Sequence, residues 1–219
     1  MNLFKNLVLA LFSVSLIFSC TSDDNDVDVE ADVNTNENGS GNINVIVDSN
    51  LNQEDIDALL FMLEEEKLAR DTYTFLYDTW SQNIFSNIAN SEQSHMNAIK
   101  TLLDANNVTY TILSQGQFND QDLQDLYDQF EADGQISNAQ ALIIGATIED
   151  LDIYDLERFI NEASSNSLID VFQSLQCGSR NHLRSFNSRL QNFNTTYTPQ
   201  FISEEQFNAI INSSNEQCN

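Results

Sequence analysis

The sequence predicts an all-α domain with four long helices, a short helix in a middle crossover and a short C-terminal helix. Two observations favour this class. Pro199 is the only proline among the 219 residues and lies near the end, so the strongest helix breaker is missing from the body of the chain. Apolar residues also recur at helical spacing, and Ser or Asn residues that can cap a helix precede these stretches.

The first two helices are predicted to be adjacent. Asn52 can cap a helix over 53–79, in which the apolar residues keep helical spacing. Ser81 can cap a second helix that continues to about residue 106. Because the linker between them is short, we expect the two helices to be antiparallel neighbours.

The rest of the chain contains the crossover and the second pair of long helices. Asp133 and Gly134 end the short crossover helix, and the stretch 164–167 separates the two long helices that follow. The predicted elements are a short amphipathic helix over 121–132, long helices over 138–163 and 167–191, and a last short helix that begins at the Ser203 capping box.

The N-terminal residues predict export. Residues 1–19 have the charge and apolar core of a signal peptide, and Cys20 after a small residue resembles a lipoprotein cleavage site, with plain secretion as the alternative. The polar stretch 20–50 reads as an acidic flexible tether, and 51–219 as one helical domain. We therefore predict a protein bound to the cell envelope through lipid on Cys20, at the periplasmic or surface side of the outer membrane.

Charge and cysteine content limit the partners. The formal net charge of −26 disfavours nucleic-acid binding, which requires clustered Lys and Arg. The predicted partners are the membrane, through the lipid anchor, and a second copy of the chain in a homodimer. In an oxidising compartment Cys177 and Cys218 can form a disulfide that fastens the C-terminal segment to a helix; two unpaired thiols are the alternative.

Several acidic residues and both histidines fall on the apolar faces of the predicted helices. Glu92 and His95 are three residues apart, so they project from the same side of a helix. Glu64 and Glu65 are predicted to point away from this interior. The residues expected to face it are Glu66, Glu92, His95, Glu149, Asp152 and His182.

Buried carboxylates are tolerated only when cations or protons compensate their charge. Four carboxylates and two imidazoles match the ligand count of a carboxylate-bridged di-metal site in a helical bundle. Hard oxygen donors and neutral nitrogens suit iron first, with manganese or zinc as alternatives. The sequence therefore predicts two divalent metal ions.

These motifs resemble the ferritin-like superfamily over about residues 51–191. Glu66-x-x-Ala69-x-x-x-Tyr73 and Glu92-x-x-His95 are similar to motifs of ferritins and their relatives. The resemblance implies a four-helix bundle with a crossover. Four stretches look like an exported bacterial ferritin-like family of unknown function: 64–71, 84–89, 148–153 and 178–183.

The chain departs from the superfamily pattern on its last long helix. Many of these proteins have a second Glu-x-x-His there, but Ser179 stands three residues before His182. We expect Asp152 to replace the missing acid and the second metal to be held less tightly. Gly178 and Ser179 are expected to leave space above His182 for a small molecule.

Two functions follow from this sequence. The first is an oxidoreductase that acts on peroxide, oxygen or ferrous iron, in which Tyr73 delivers an electron from an unidentified donor; plain core packing is the other role open to Tyr73. The second is a non-enzymatic envelope lipoprotein that binds a partner, with structural metal or none.

Overall fold

The computed structural model describes residue 45 and residues 51–218, and the regular secondary structure of these residues is helical with no strand. The all-α prediction is confirmed. The predicted signal peptide, the Cys20 lipidation site and nearly all of the tether lie outside the described residues. The elements are α1 (Gln53–Trp80), α2 (Asn83–Ala105), α3 (Gln121–Gly134), α4 (Asn138–Glu162), α5 (Asn166–Leu190), a 3₁₀ turn (Gln191–Phe193) and α6 (Glu204–Ile211).

Side-chain caps start most of these helices, as predicted, but Ser81 is an exception. Ser81 ends α1 in the left-handed conformation, with φ of 53°, and its N–H donates to the Tyr77 carbonyl. α2 begins after Gln82, which makes no capping hydrogen bond through its side chain. The predicted Ser81 cap is therefore wrong, because the reversal of the chain between the helices uses that residue. The capping side chains observed are Asn52, Asp120, Ser137, Ser165 and Ser203.

The four long helices pack in two antiparallel pairs, α1 with α2 and α4 with α5. Leu59 near the start of α1 and Leu102 near the end of α2 belong to one buried apolar cluster, together with Leu156 near the end of α4 and Leu168 near the start of α5. α1 also packs on α4, and α2 on α5. Since α1 is antiparallel to both α2 and α4, the connection that contains α3 crosses the length of the protein.

Two apolar layers enclose a polar layer between the long helices. The apolar cluster lies at one end, and an aromatic group of Tyr73, Phe85 and Phe186 lies at the other, with ring centroids 5.4–6.5 Å apart. Gly145 makes room for this group, because a Cβ atom there would lie 2.4 Å from the Phe186 ring. The polar residues between the two layers are thereby shielded from solvent.

A buried lysine on α1 fixes the start of the crossover. Lys67 is 1% exposed, and its Nζ lies 2.6 Å from Asp71 and 3.0 Å from the backbone carbonyls of Ser114 and Gln117. The ammonium group also lies over the Phe118 ring, 4.1 Å from its centroid. Because every donor on Lys67 has an acceptor, its burial is tolerated.

The C-terminal segment is fastened to α5. Cys177 and Cys218 form a disulfide with a Cα–Cα distance of 5.6 Å. Arg180 and Arg184 both bind the Glu216 carboxylate. The two arginines therefore do not form a solvated face, since residues beyond α6 return to cover them. No helix in residues 51–218 is long and apolar enough to cross a membrane.

We predict that the disulfide stabilises the folded chain. Its partners are 41 residues apart, and restricting the unfolded chain over a loop of this size contributes up to about 4 kcal/mol. Replacing both cysteines, in the double variant Cys177→Ser and Cys218→Ser, should lower the free energy of unfolding measured in urea. Reduced wild type should match the double variant, and an unchanged unfolding free energy would contradict the prediction.

We predict that the Glu216 ion pairs weaken at low pH. Hydrogen bonds from Arg180 and then Arg184 lower the pKa of Glu216 from 4.5 to about 2. Because the folded-state pKa is depressed, this stabilisation is fully present above pH 4.5 and is lost as the pH falls towards 2. The difference in unfolding free energy between wild type and Glu216→Gln should therefore shrink between about pH 6 and about pH 3. If the difference in unfolding free energy stays constant over this pH range, the Glu216 ion pairs do not stabilise the fold as predicted.

Candidate metal centre

The structure brings five of the six predicted ligands into two overlapping groups in the polar layer. All six are at least 93% buried and come from four helices, α1, α2, α4 and α5. Within each group, one ligand atom per residue lies within 4.8 Å of the others. The first group is Glu66, Glu92 and His95, and the second is Glu92, Glu149 and His182.

Glu92 belongs to both groups because its two oxygens face different histidines. Its Oε2 lies 2.7 Å from Nδ1 of His95, and its Oε1 lies 2.9 Å from Nδ1 of His182. Oε2 of Glu66 lies 3.1 Å from the same His95 atom, and Oε2 of Glu149 lies 3.4 Å from the same His182 atom. Each imidazole is therefore placed between two carboxylates, and Glu92 is the one they share.

The contact between Glu92 and His182 has a separation that fits a shared cation. Although 2.9 Å apart, Glu92 Oε1 and His182 Nδ1 each have no hydrogen-bond partner among the described groups. Two ligand atoms that bind one ion at about 2.1 Å, at right angles, lie about 3 Å apart. This separation fits two donors directed at a common point. The oxygen and imidazole donors suit iron, manganese or zinc.

The two imidazoles and the carboxylates that face them shift one another's pKa values. Burial alone would raise the pKa of Glu92, but His95 and His182 outweigh it and hold that pKa well below its ordinary value. Burial would lower the pKa of both histidines, and the facing carboxylates reverse this, which raises the pKa of His182 to about 10 and that of His95 well above 6.5. Burial raises the pKa of Glu66 and Glu149. The interior thus favours positive charge next to Glu92.

Tyr73 positions one of the carboxylates. Its hydroxyl donates to Oε1 of Glu149 at 2.5 Å and lies 3.2 Å from the Gly145 carbonyl. Burial, and then the nearby Glu149 carboxylate, raise the pKa of Tyr73 well above 10, so the phenol keeps its proton. Tyr73 therefore leaves Glu149 Oε2 free to face His182.

Asp152 lies beside the two groups and belongs to neither. Its Oδ2 accepts a hydrogen bond from the Ser179 hydroxyl, whereas its Oδ1 is buried with no hydrogen-bond partner among the described residues. Burial, followed by the Glu149 charge, raises the pKa of Asp152 to about 8. Ser179, which stands where the superfamily motif has an acid, therefore binds Asp152 on the neighbouring helix α4.

The expected space above His182 is occupied. A Cβ atom at Gly178 would lie 2.7 Å from Nε2 of His95 and 2.8 Å from its Cε1. Ser179 is fully buried and bonded to Asp152. The prediction of an open space is therefore wrong, and Gly178 instead allows the His95 ring to lie close to the backbone of α5.

Glu65 is a buried acid that the sequence prediction misplaced. It is 2% exposed, and neither carboxylate oxygen has a hydrogen-bond partner within the described part of the chain. Adjacent helical residues point about 100° apart, so both Glu65 and Glu66 are buried only because α1 packs on α2, α3 and α4. Glu64 does point away, and its carboxylate accepts hydrogen bonds from Asn119 and Asp120.

Comparison with known proteins identifies the family. A model described as an uncharacterized protein domain (DUF2202) matches residues 55–214. The chain belongs to the DUF2202 family. The DUF2202 match spans both ligand groups, so the candidate centre lies within the domain that defines the family.

A relative of known structure is similar to most of this chain. Uncharacterized protein MJ0754 of Methanocaldococcus jannaschii is 44% identical over 169 residues, which cover 76% of this chain and 91% of the relative. The crystal structure of hypothetical protein MJ0754 matches with a TM-score of 0.75, over 77% of this chain and 98% of that chain. The helical fold of the DUF2202 domain is therefore common to both proteins.

We predict that Gly178→Ala weakens metal binding by displacing His95. The added methyl group would overlap the imidazole, and moving a ligand in this way costs about 10- to 100-fold in affinity. Isothermal titration of the chelator-treated protein with Mn²⁺ measures the effect. Gly134→Ala is the control, because its methyl group meets the side chains of Leu76 and Ile144, neither of which is a proposed ligand. Equal affinity in the two variants would contradict the prediction.

Proposed function

We propose that this chain is a ferritin-like protein that holds two divalent metal ions, iron first and manganese or zinc as alternatives, and that it acts as an oxidoreductase on peroxide, oxygen or ferrous iron. The observation that carries the proposal is the position of Glu92. Its two carboxylate oxygens face His95 and His182, which creates two ligand groups with one common member.

The order and direction of the helices support the ferritin-like assignment. Two antiparallel pairs are joined by a connection that crosses the length of the protein, and one long crossover is typical of ferritin-like bundles. The Glu-x-x-His motif on α2 lies on the inner side of this arrangement. The packing of the helices brings Glu66 close to Glu92 and His95, and it brings Glu149 close to Glu92.

The proposed ligands divide naturally between the two ions. Glu66 and His95 would hold the first, Glu149 and His182 the second, and Glu92 would bind both. If iron occupies these positions, it would supply redox chemistry towards oxygen or peroxide. The chain contributes the hydrogen bond from Tyr73 that orients Glu149, and apolar layers that exclude bulk water.

We further propose that the domain works at the cell envelope. The apolar segment in 1–19 and Cys20 support lipid attachment there, and the disulfide in the C-terminal segment suits an oxidising compartment. Metal exchange with the surroundings would then take place outside the cytoplasm. We also propose that this domain forms a homodimer.

We predict about two metal ions per purified chain, with a strong loss on substitution of the shared ligand. Elemental analysis should give iron, manganese or zinc in wild type and close to none in Glu92→Ala, while His95→Ala should also lose metal. A chelator should lower the melting temperature of wild type, because the ions bind the folded state only. Peroxide consumption by the iron-loaded wild type, absent from Glu92→Ala, is the expected activity.

Glu64→Ala is the matched control for this experiment. It removes a carboxylate from the same stretch of α1, but its contacts are with Asn119 and Asp120 outside the centre. Its metal content should equal that of wild type. Wild type without metal, and with a melting temperature unaffected by chelator, would refute the oxidoreductase and favour an envelope protein that binds a partner through its acidic surface.

A further inference from the structure

A line of acidic residues on α4 leads from the candidate centre towards the surface. Glu149, Asp152 and Asp155 are each three residues apart, so they lie on one side of the helix with about 4.5 Å of rise between neighbours. All three are at least 94% buried. Of the three, Glu149 belongs to a ligand group, and the other two continue away from it along the helix.

Glu65 on α1 faces this line from the opposite helix. The charges of Asp155 and Asp152 both act on its carboxylate, so Glu65 lies close to these two acids. Both Glu65 oxygens and Oδ1 of Asp152 are buried without a hydrogen-bond partner among residues 51–218. Buried carboxylate oxygens without a donor are available to bind a cation.

The outer end of the line is closed by an arginine. Arg158 binds Oδ1 of Asp155 through Nε at 3.1 Å and Nη2 at 2.7 Å. Its side chain is 39% exposed, and its Nη1 lies 3.9 Å from the mostly exposed Glu162. Arg158 can therefore turn towards solvent and leave Asp155 as the first buried carboxylate that an incoming ion meets.

We propose that Glu65, Asp152 and Asp155 form a path by which a divalent cation passes from the surface at Arg158 to the ligands around Glu92. This inference rests on the proposed function, since it supplies that centre with its ions. Along the path, carboxylate oxygens replace some of the water molecules bound to the ion. Passage involves no covalent bond formation and no electron transfer. Glu65 belongs to neither group of close ligands, which suits passage rather than permanent binding.

The test is the rate of metal uptake by the full chain. Chelator-treated protein is mixed with Co²⁺ in a stopped-flow instrument, and binding is followed through the visible absorption of the bound ion. Glu65→Gln keeps the size of the side chain and removes its charge, so uptake should be about tenfold slower than in wild type. The final amount of bound Co²⁺ should remain that of wild type, which also shows that the variant is folded.

Three further variants separate the path from general electrostatics. Glu54→Gln removes the same charge from an exposed position on α1 and should load at the wild-type rate. Asp155→Asn removes a second path residue and should load slowly, like Glu65→Gln. Arg158→Gln frees Asp155 from its arginine and should load faster than wild type.

The outcomes distinguish the path from the centre. Wild-type uptake rates in both Glu65→Gln and Asp155→Asn, with wild type still binding Co²⁺, would overturn the path and leave the centre intact. A lower final amount of Co²⁺ in a folded Glu65→Gln would make Glu65 a resident ligand, which also overturns the path. Absence of Co²⁺ binding by wild type would refute the proposed function together with the path.

Discussion

The need to compensate negative charge inside an apolar protein governs this structure. Elsewhere in the described interior, acids such as Asp71 and Asp150 have a complement made by the chain itself: Lys67 pairs with Asp71, and the Tyr197 hydroxyl and three backbone N–H groups bind Asp150. The polar layer differs, because its carboxylates outnumber its two imidazoles and several of its oxygens have no donor among the described residues. Unpaired acceptors enclosed in this way are expected where an ion is to be bound.

The surrounding apolar packing gives this polar layer its shape. Gly145 admits the Phe186 ring and Gly178 admits the His95 ring, so two glycines on facing helices permit close contacts that a single methyl group would prevent. Tyr73 belongs to the aromatic layer and also binds Glu149. The packing and the orientation of the ligands are therefore determined by the same side chains.

The helices, and the burial of most of the grouped acids and histidines, could be predicted from sequence, because both depend on local spacing. Apolar periodicity located α1 to α5, and the three-residue spacing of Glu92 and His95 indicated one face of α2. Glu65 was misplaced because periodicity assumes one buried face, and α1 has neighbours on several sides. The roles of Gly178 and of the two arginines depend on contacts with segments distant in sequence, which local patterns do not encode.

The two ligand groups differ in how much of the chain must fold to form them. Glu66, Glu92 and His95 all belong to the first helical pair, whose members are joined by a short turn. Glu149 and His182 belong to the second pair, which the crossover separates from the first. Contacts between segments close in sequence form with a smaller loss of chain entropy, so the first group is favoured early in folding and the second only after the two pairs dock. An ion bound by the first pair would hold Glu92 in position before the second pair docks against it.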